Sequence, residues 1–99
     1  MNPAQYKIKT SDETANLIRG THPLLKKKIR SALTIIVNNP DIGKSLRDEL
    51  TGLKSYRVST FRIIYRISSR QCIELIALGP RKTIYEETYR LIKKEGTRV

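Results

Sequence analysis

The first half of the chain carries apolar residues at helical spacing. They are Leu25, Ile29, Leu33 and Ile36. This period predicts a helix that starts at Pro23 and ends at Asn38-Asn39-Pro40, because proline disfavours helical geometry in the residue before it. A shorter helix is predicted between the capping box Thr10-Ser11-Asp12-Glu13, with Thr10 as N-cap, and Gly20. The weak alternation from Gln5 to Thr10 predicts a short first strand.

In the second half the period changes to two. Segments rich in Ile, Tyr, Val and Phe predict strands at Lys54 to Ser59, Phe61 to Ser68 and Cys72 to Gly79. The gaps between these segments are too short for crossover helices, so we expect an antiparallel meander. Asp41 to Leu53 is predicted to be a packed loop with one helical turn, and Arg81 to Lys94 a final helix.

The order strand, helix, helix, three strands, helix is typical of an α+β domain. We therefore predict a small antiparallel sheet in β-α-α-β-β-β-α order, with the helices packed on one face. A chain of 99 residues has room for one such unit, so residues 1–99 are expected to form a single domain.

The predicted hairpins determine which side chains share a face. A two-residue turn at Ser59-Thr60 pairs Arg57 with Arg62, and a turn at 68–71 pairs Arg62 with Ala77. The face predicted to lie against the helices carries Tyr56, Val58, Phe61, Ile63, Tyr65, Ile67, Ile76 and Leu78. The open face carries Ser55, Arg57, Ser59, Arg62, Ile64, Arg66, Leu75, Ala77 and Arg81. Three arginines are thus expected to converge at one end of the open face.

The charge balance makes this arginine cluster more informative. The chain has 20 Lys and Arg against 9 Asp and Glu, a net charge of +11, spread from Lys7 to Arg98. Such a basic surface favours a nucleic acid or an acidic protein as partner, with an anionic membrane surface as the weaker alternative. Arginine binds phosphate through two parallel hydrogen bonds, so the cluster predicts a phosphate site. The alternative is that the arginines are solvated or pair with Asp48 and Glu49.

Several other classes of site are disfavoured. One cysteine and one histidine supply neither a disulfide nor a zinc site, so we expect no metal and no cofactor. Cys72 is predicted to be a small buried hydrophobic residue, and His22, before Pro23, a capping or surface residue. The start of the chain lacks a secretory signal and no apolar run approaches the ~20 residues that span a bilayer, which predicts a cytoplasmic location.

Taken in order, several motifs resemble the RelE/ParE superfamily of bacterial toxin-antitoxin toxins over nearly the whole chain. They are the His-Pro and Leu-Lys-Lys-Lys-Ile helical hairpin, Leu50-Thr51-Gly52-Leu53, the hairpin from Arg57 to Tyr65, and Arg81-Lys82-Thr83-Ile84-Tyr85. The RelE branch cleaves messenger RNA in the ribosomal A site, and the ParE branch poisons DNA gyrase. The resemblance implies a cognate acidic antitoxin, the ribosome and mRNA as partners, with no membrane and no small-molecule cofactor.

The resemblance also implies roles for residues. Arg62 and Arg81 would stabilise the phosphate and Tyr85 would lie near the attacking 2′-hydroxyl, while Arg57 stands at a strand position that is lysine in the best-known ribonuclease of the family. Because a guanidinium stays protonated, Arg57 cannot be the general base. The base is left open between Tyr85, a lysine such as Lys54 or Lys82, and no strong base on a substrate positioned by the ribosome.

Two assignments have structural alternatives. Tyr85 could instead be a core residue of the last helix, in which case Tyr89, one turn on, is the substitute. Lys26-Lys27-Lys28 is either the solvated face of the second helix or a contact to rRNA phosphates.

The sequence therefore favours a ribosome-dependent endoribonuclease toxin, an mRNA interferase that inhibits translation. The first alternative is a ParE-like, non-catalytic gyrase poison on the same fold. The second is a basic nucleic-acid-binding module outside any toxin system. Phe61 and five tyrosines are the only aromatic residues, and most are assigned to the core face, so base stacking gives this second alternative little support.

Overall fold

The computed structural model describes residues 6–68 and 71–96, with the backbone alone for 94–96. The helices are α1 (Asp12–Arg19), α2 (Pro23–Asn38) and α3 (Arg81–Gly96), and 3-10 turns lie at Pro40–Ile42 and Asp48–Leu50. The strands are β1 (Lys7–Thr10), β2 (Lys44–Ser45), β3 (Lys54–Val58), β4 (Phe61–Ser68) and β5 (Cys72–Pro80).

These strands form one sheet in the order β1-β5-β4-β3-β2. The α+β class and the antiparallel meander of β3, β4 and β5 are confirmed. The sheet is mixed, however, because β1 runs parallel to β5. The short β2 lies in the segment predicted to be a loop. Its two residues pair with Lys54 and Ser55. A strand of two residues is too short to show the alternation of apolar and polar residues by which strands are predicted. Gln5, at the start of the predicted first strand, lies outside the described residues.

Helices cover both faces of the sheet, so the prediction that they share one face is wrong. The α2 side buries Ile29 and Ile36 against strand residues such as Ile63 and Tyr65. On the opposite side Ile84 of α3 packs with Leu53, Ile64 and Ala77. The physical reason is that α3 needs an apolar surface for its own buried stripe, and Ile64 and Ala77 provide one on the face predicted to be open.

The register between β4 and β5 also differs from the prediction. Ser68 pairs with Cys72, and a bulge between Ile64 and Tyr65 shifts the ladder again, so Arg62 lies opposite Gly79 and not Ala77. A bulge reverses the alternation beyond it. Leu75 therefore joins the α2 side, and Ile76 the α3 side, the opposite of the prediction. Part of the turn at 68–71 lies outside the described residues.

The starts of α1 and α2 carry side-chain caps. Ser11 caps α1, its hydroxyl accepting from the Thr14 amide at 3.1 Å, so the N-cap is one residue later than the predicted Thr10. His22 caps α2, because its Nδ1 accepts from the Leu24 amide at 3.1 Å. The prediction of a capping role for His22 is confirmed.

Tyr65 fastens the segment between α2 and β3 to the sheet. Its buried hydroxyl donates to the Pro40 carbonyl at 2.6 Å and accepts from the Gly43 amide at 2.9 Å. Burial raises the pKa of the Tyr65 phenol above its ordinary value. A Cβ atom placed on Gly43 would lie 2.6 Å from this hydroxyl oxygen, so glycine is required by the close approach.

Candidate functional site

Arg57 and Arg62 lie directly opposite each other on β3 and β4, as the turn at Ser59-Thr60 predicts. Ser59 takes the left-handed conformation, with φ of 59°, which permits this short connection. Arg57 Nε donates to the Ser59 carbonyl at 3.2 Å. Two like charges opposite each other repel by some tenths of a kcal/mol. The pair therefore favours an anion between or above the guanidinium groups.

The guanidinium of Arg62 is only partly satisfied. Its Nη1 donates to Ser55 Oγ at 3.4 Å, whereas its Nε is buried and has no hydrogen-bond partner among the described residues. The residue as a whole is half-buried. A buried donor without an acceptor is costly, so the Arg62 side chain gains free energy if it turns its guanidinium toward an oxygen acceptor.

Tyr85 is linked to Arg62 through the hydroxyl of Ser55. The Tyr85 hydroxyl lies 3.2 Å from Ser55 Oγ, and its ring, half-buried, packs beside Ile84 on the α3 side of the sheet. Tyr85 and Arg62 thus share one hydrogen-bonded neighbour although they come from a helix and a strand. The structure brings Arg57, Arg62 and Tyr85 onto the same face of the sheet.

Arg81 is the first residue of α3, and its backbone ties the helix to the arginine hairpin. The Arg81 amide donates to the Thr60 carbonyl at 3.1 Å, which places the start of α3 beside the turn between β3 and β4. The residue is exposed, and its guanidinium makes no hydrogen bond or ion pair with the residues that the structure describes. Arg81 is available to a ligand at the end of the sheet where Arg57 lies.

No carboxylate of the described residues neutralises these three arginines. The ion pairs found there join Lys54 to Asp41, Arg66 to Glu74 and Arg90 to Glu86. Among the described residues, none of the three arginines forms the predicted alternative ion pair with Asp48 or Glu49. The first turn of α3 carries no acidic residue either, and its free amide groups add positive potential. The site has the electrostatics of an anion-binding surface.

The predicted lysines do not share one location. Lys54 Nζ lies 3.1 Å from Ser45 Oγ and 3.8 Å from Asp41, on the face shared with its strand partner Tyr65. This is the α2 face, opposite Tyr85. Lys82 is exposed in the first turn of α3, beside Arg81.

The Lys26-Lys27-Lys28 run lies on α2, across the sheet from Tyr85. Lys26 is half-buried, whereas Lys27 and Lys28 are exposed. Together with Tyr56 and Arg57, these last two line a cleft of about 370 Å³ between α2 and β3. Arg57 therefore borders both the cleft and the arginine hairpin.

Ser55 is the site residue that sequence reasoning missed. Strand alternation placed it correctly on the arginine face, but its contacts depend on α3 covering that face. Tyr89, the substitute for Tyr85, is 39% exposed, with Lys93 Nζ 5.8 Å from its ring centroid, and no hydrogen bond among the described residues joins it to Ser55 or Arg62. Cys72, predicted to be buried, is half-buried on β5.

Two other features are absent from the described residues. No group of three or more His, Cys, Asp or Glu residues there could hold a metal ion. No helix in that part of the chain is long and apolar enough to cross a membrane.

Comparison with known proteins places this geometry in a family. A sequence model described as ParE toxin of type II toxin-antitoxin system, parDE, matches residues 7–85. No curated protein matches the chain in sequence.

Solved structures share the fold. The toxin-antitoxin complex RelBE2 from Mycobacterium tuberculosis is 23% identical, with a TM-score of 0.69 over 79% of this chain and 100% of that chain. A free mutant of the E. coli toxin RelE is 17% identical, with a TM-score of 0.72 over 92% of this chain and 97% of that chain. The YoeB-YefM complex from Staphylococcus aureus is 25% identical, with a TM-score of 0.62 over 77% of this chain and 97% of that chain.

Proposed function

The chain belongs to the ParE toxin family of type II toxin-antitoxin systems, and from its arginine site we propose that this toxin is a ribosome-dependent endoribonuclease that cleaves mRNA and inhibits translation. The observation that carries the proposal is the Arg57-Arg62 pair beside Tyr85, with a buried Arg62 Nε that has no partner among the described residues. A surface used only for protein contact needs no such pair of arginines linked to a phenol.

The site fits the chemistry of RNA cleavage by its own 2′-oxygen. In that reaction the 2′-hydroxyl loses its proton and the oxygen bonds to phosphorus. The bond from phosphorus to the 5′-oxygen then breaks, and the leaving oxygen takes up a proton. Arg57, Arg62 and Arg81 supply positive charge where the phosphorane develops negative charge. The products are a 2′,3′-cyclic phosphate and a 5′-hydroxyl.

Tyr85 is the proposed proton-transfer group. Arg57 cannot accept a proton, and Lys54 lies on the other face of the sheet with its ammonium beside Asp41. Lys82, in the same turn of α3 as Arg81, is the second candidate. If neither acts as a strong base, positioning of the message by the ribosome supplies the remaining rate enhancement.

The proposed partners follow from charge and from the relatives. RelBE2 and YoeB-YefM are toxin-antitoxin complexes, and a chain with a net charge of +11 suits an acidic antitoxin. The Lys26-Lys27-Lys28 run is proposed to contact rRNA phosphates from the α2 side, while the arginines hold the message on the α3 side. The proposed place of action is the cytoplasm, where ribosomes translate.

A second candidate is supported by the family match itself, because the matched family is described by ParE. This candidate is a non-catalytic gyrase poison on the same fold. One induced culture separates the two. The ribonuclease leaves cuts in ribosome-bound messages that end in 2′,3′-cyclic phosphate or 3′-phosphate. Intact messages together with gyrase trapped on broken DNA would refute the ribonuclease proposal.

A further inference from the structure

We infer that Ser55 is a positioning residue that holds the Tyr85 phenol and the Arg62 guanidinium in one hydrogen-bonded cluster. Its Oγ lies 3.2 Å from the Tyr85 hydroxyl and 3.4 Å from Arg62 Nη1. Both neighbours belong to the proposed phosphodiester site, so the inference rests on the proposed function. Ser55 is only 2% exposed and does not itself reach a substrate.

The hydrogen-bonding capacities of the groups fix the direction of one of the two hydrogen bonds in the cluster. A guanidinium only donates, so Arg62 occupies an acceptor position on Ser55 Oγ. Either hydroxyl can donate in the contact between Ser55 and Tyr85. In the inferred arrangement Ser55 donates, and the phenol proton points toward the site. If Tyr85 gives up a proton during cleavage, Ser55 can donate to the oxygen that remains. Ser55 thereby links the charge of Arg62 to the proton of Tyr85.

The surroundings of Ser55 argue against a purely structural role. Its partner on β4 is Ile64, which belongs to the apolar cluster on the α3 side. A buried hydroxyl beside such a cluster costs free energy unless it is hydrogen-bonded, and alanine would fill the position without that cost. The partners that satisfy Ser55 are two residues of the proposed site.

The cluster also joins separate elements of the fold. Arg62 lies on β4, Ser55 on β3 and Tyr85 on α3. The apolar contact between β5 and α3 is close here, because a Cβ atom placed on Gly79 would lie 3.2 Å from Ile84 Cδ1. Packing therefore sets the distance between helix and sheet, while the hydroxyl of Ser55 sets the direction of the Tyr85 oxygen.

The test compares Ser55→Ala with Ser55→Thr in single-turnover cleavage of ribosome-bound mRNA. Loss of one hydrogen-bonding group should lower the rate constant of cleavage about 10-fold. The toxin concentration that gives half of the maximal rate should stay within about twofold of the wild-type value. Ser55→Thr should restore most of the rate, because it returns the hydroxyl. Thr88→Val is the matched control: Thr88 is fully buried on α3 and its Oγ1 donates to the Ile84 carbonyl at 2.7 Å, away from the cluster.

A double-mutant cycle tests whether Ser55 acts through its neighbour. In a Tyr85→Phe background, Ser55→Ala should lower the rate by clearly less than about 10-fold, because the Tyr85 hydroxyl is already gone and only the contact to Arg62 remains to be lost. A full loss in both backgrounds would overturn the inference. If Ser55→Ala does not fold, Ser55→Cys serves in its place, since a thiol is a weak hydrogen-bonding group of similar size.

NMR of the purified toxin gives a readout that does not require cleavage. Ser55→Ala should shift the Tyr85 ring resonances and the Arg62 Nε–H resonance, and leave those of Tyr89 unchanged. A wild type that cuts no RNA would refute the proposed function but not this positioning. Unmoved Tyr85 and Arg62 resonances would refute the positioning whether or not the protein cleaves RNA.

Discussion

Tyr65 and Tyr85 each carry one phenol oxygen, and the structure predicts opposite consequences for its removal. In Tyr65→Phe the lost oxygen is the one that accepts from the Gly43 amide at 2.9 Å and donates to the Pro40 carbonyl at 2.6 Å. The ring of Tyr65 is fully buried, so water cannot easily replace either bond. In Tyr85→Phe the lost contact is the one to Ser55 at a half-buried position.

The magnitude for Tyr65→Phe follows from those two bonds. Each contributes about 1 kcal/mol net, and leaving a buried amide without a partner adds about 1 kcal/mol more. The expected loss is therefore about 3 kcal/mol. In a domain of this size 1 kcal/mol corresponds to about 5 °C in Tm, so the melting temperature should fall by about 15 °C. Tyr85→Phe should cost under about 1 kcal/mol.

The assay pairs thermal and urea unfolding with mRNA cleavage on the same preparations. Below its melting transition, Tyr65→Phe should retain the wild-type cleavage rate per folded molecule. Tyr85→Phe should melt close to wild type and lose cleavage more than binding, because it keeps the ring and loses the proton-transfer group. A Tyr65→Phe variant that melts within about 3 °C of wild type would refute the anchoring role of Tyr65.

Four further outcomes are expected. Arg81→Ala should abolish growth arrest through a loss of about 10²- to 10³-fold in rate without changing Tm, whereas Arg90→Ala on the same helix should remain toxic; a toxic Arg81→Ala would remove that arginine from the site. Gly43→Ala should destabilise the fold strongly in urea titrations, because its Cβ would lie 2.6 Å from the Tyr65 hydroxyl oxygen. A wild-type urea midpoint would show instead that the segment between α2 and β3 can shift to make room for the methyl group. Because the pKa of Tyr65 is raised in the native state, its contribution to stability should be complete below about pH 10 and be lost as the pH rises through the native pKa. Urea midpoints should therefore fall more steeply with pH in wild type than in Tyr65→Phe, since the remaining ionisable groups are the same in both proteins. An acidic protein encoded beside this chain should co-purify with it and suppress growth arrest; a domain that is harmless alone and binds no such protein would contradict the toxin assignment.

Local pattern was sufficient for much of the fold and for part of the site. Period and turn length predicted the strand segments and the pairing of Arg57 with Arg62, because a hairpin register depends on residues close in sequence. The cap at His22 is likewise local, since it depends on the next two residues. The resemblance carried by several motifs, taken in their order along the chain, led to the correct superfamily.

Tertiary structure alone decided which groups meet across elements. The bulge between Ile64 and Tyr65 changes the partner of Arg62, and nothing in the alternation of β4 indicates it. Whether α3 packs on the arginine face depends on apolar area presented by distant strands, and only that packing buries Ser55 against Tyr85. The same sheet separates Lys54 from Tyr85 although the two seemed equivalent candidates for a base. The sequence by itself determined the strand segments and the pairing of Arg57 with Arg62, because local propensity and spacing act within a few positions. Contacts between a helix and a sheet arise from burial summed over the whole chain, and they determined that Tyr85 meets Ser55 and, through it, Arg62.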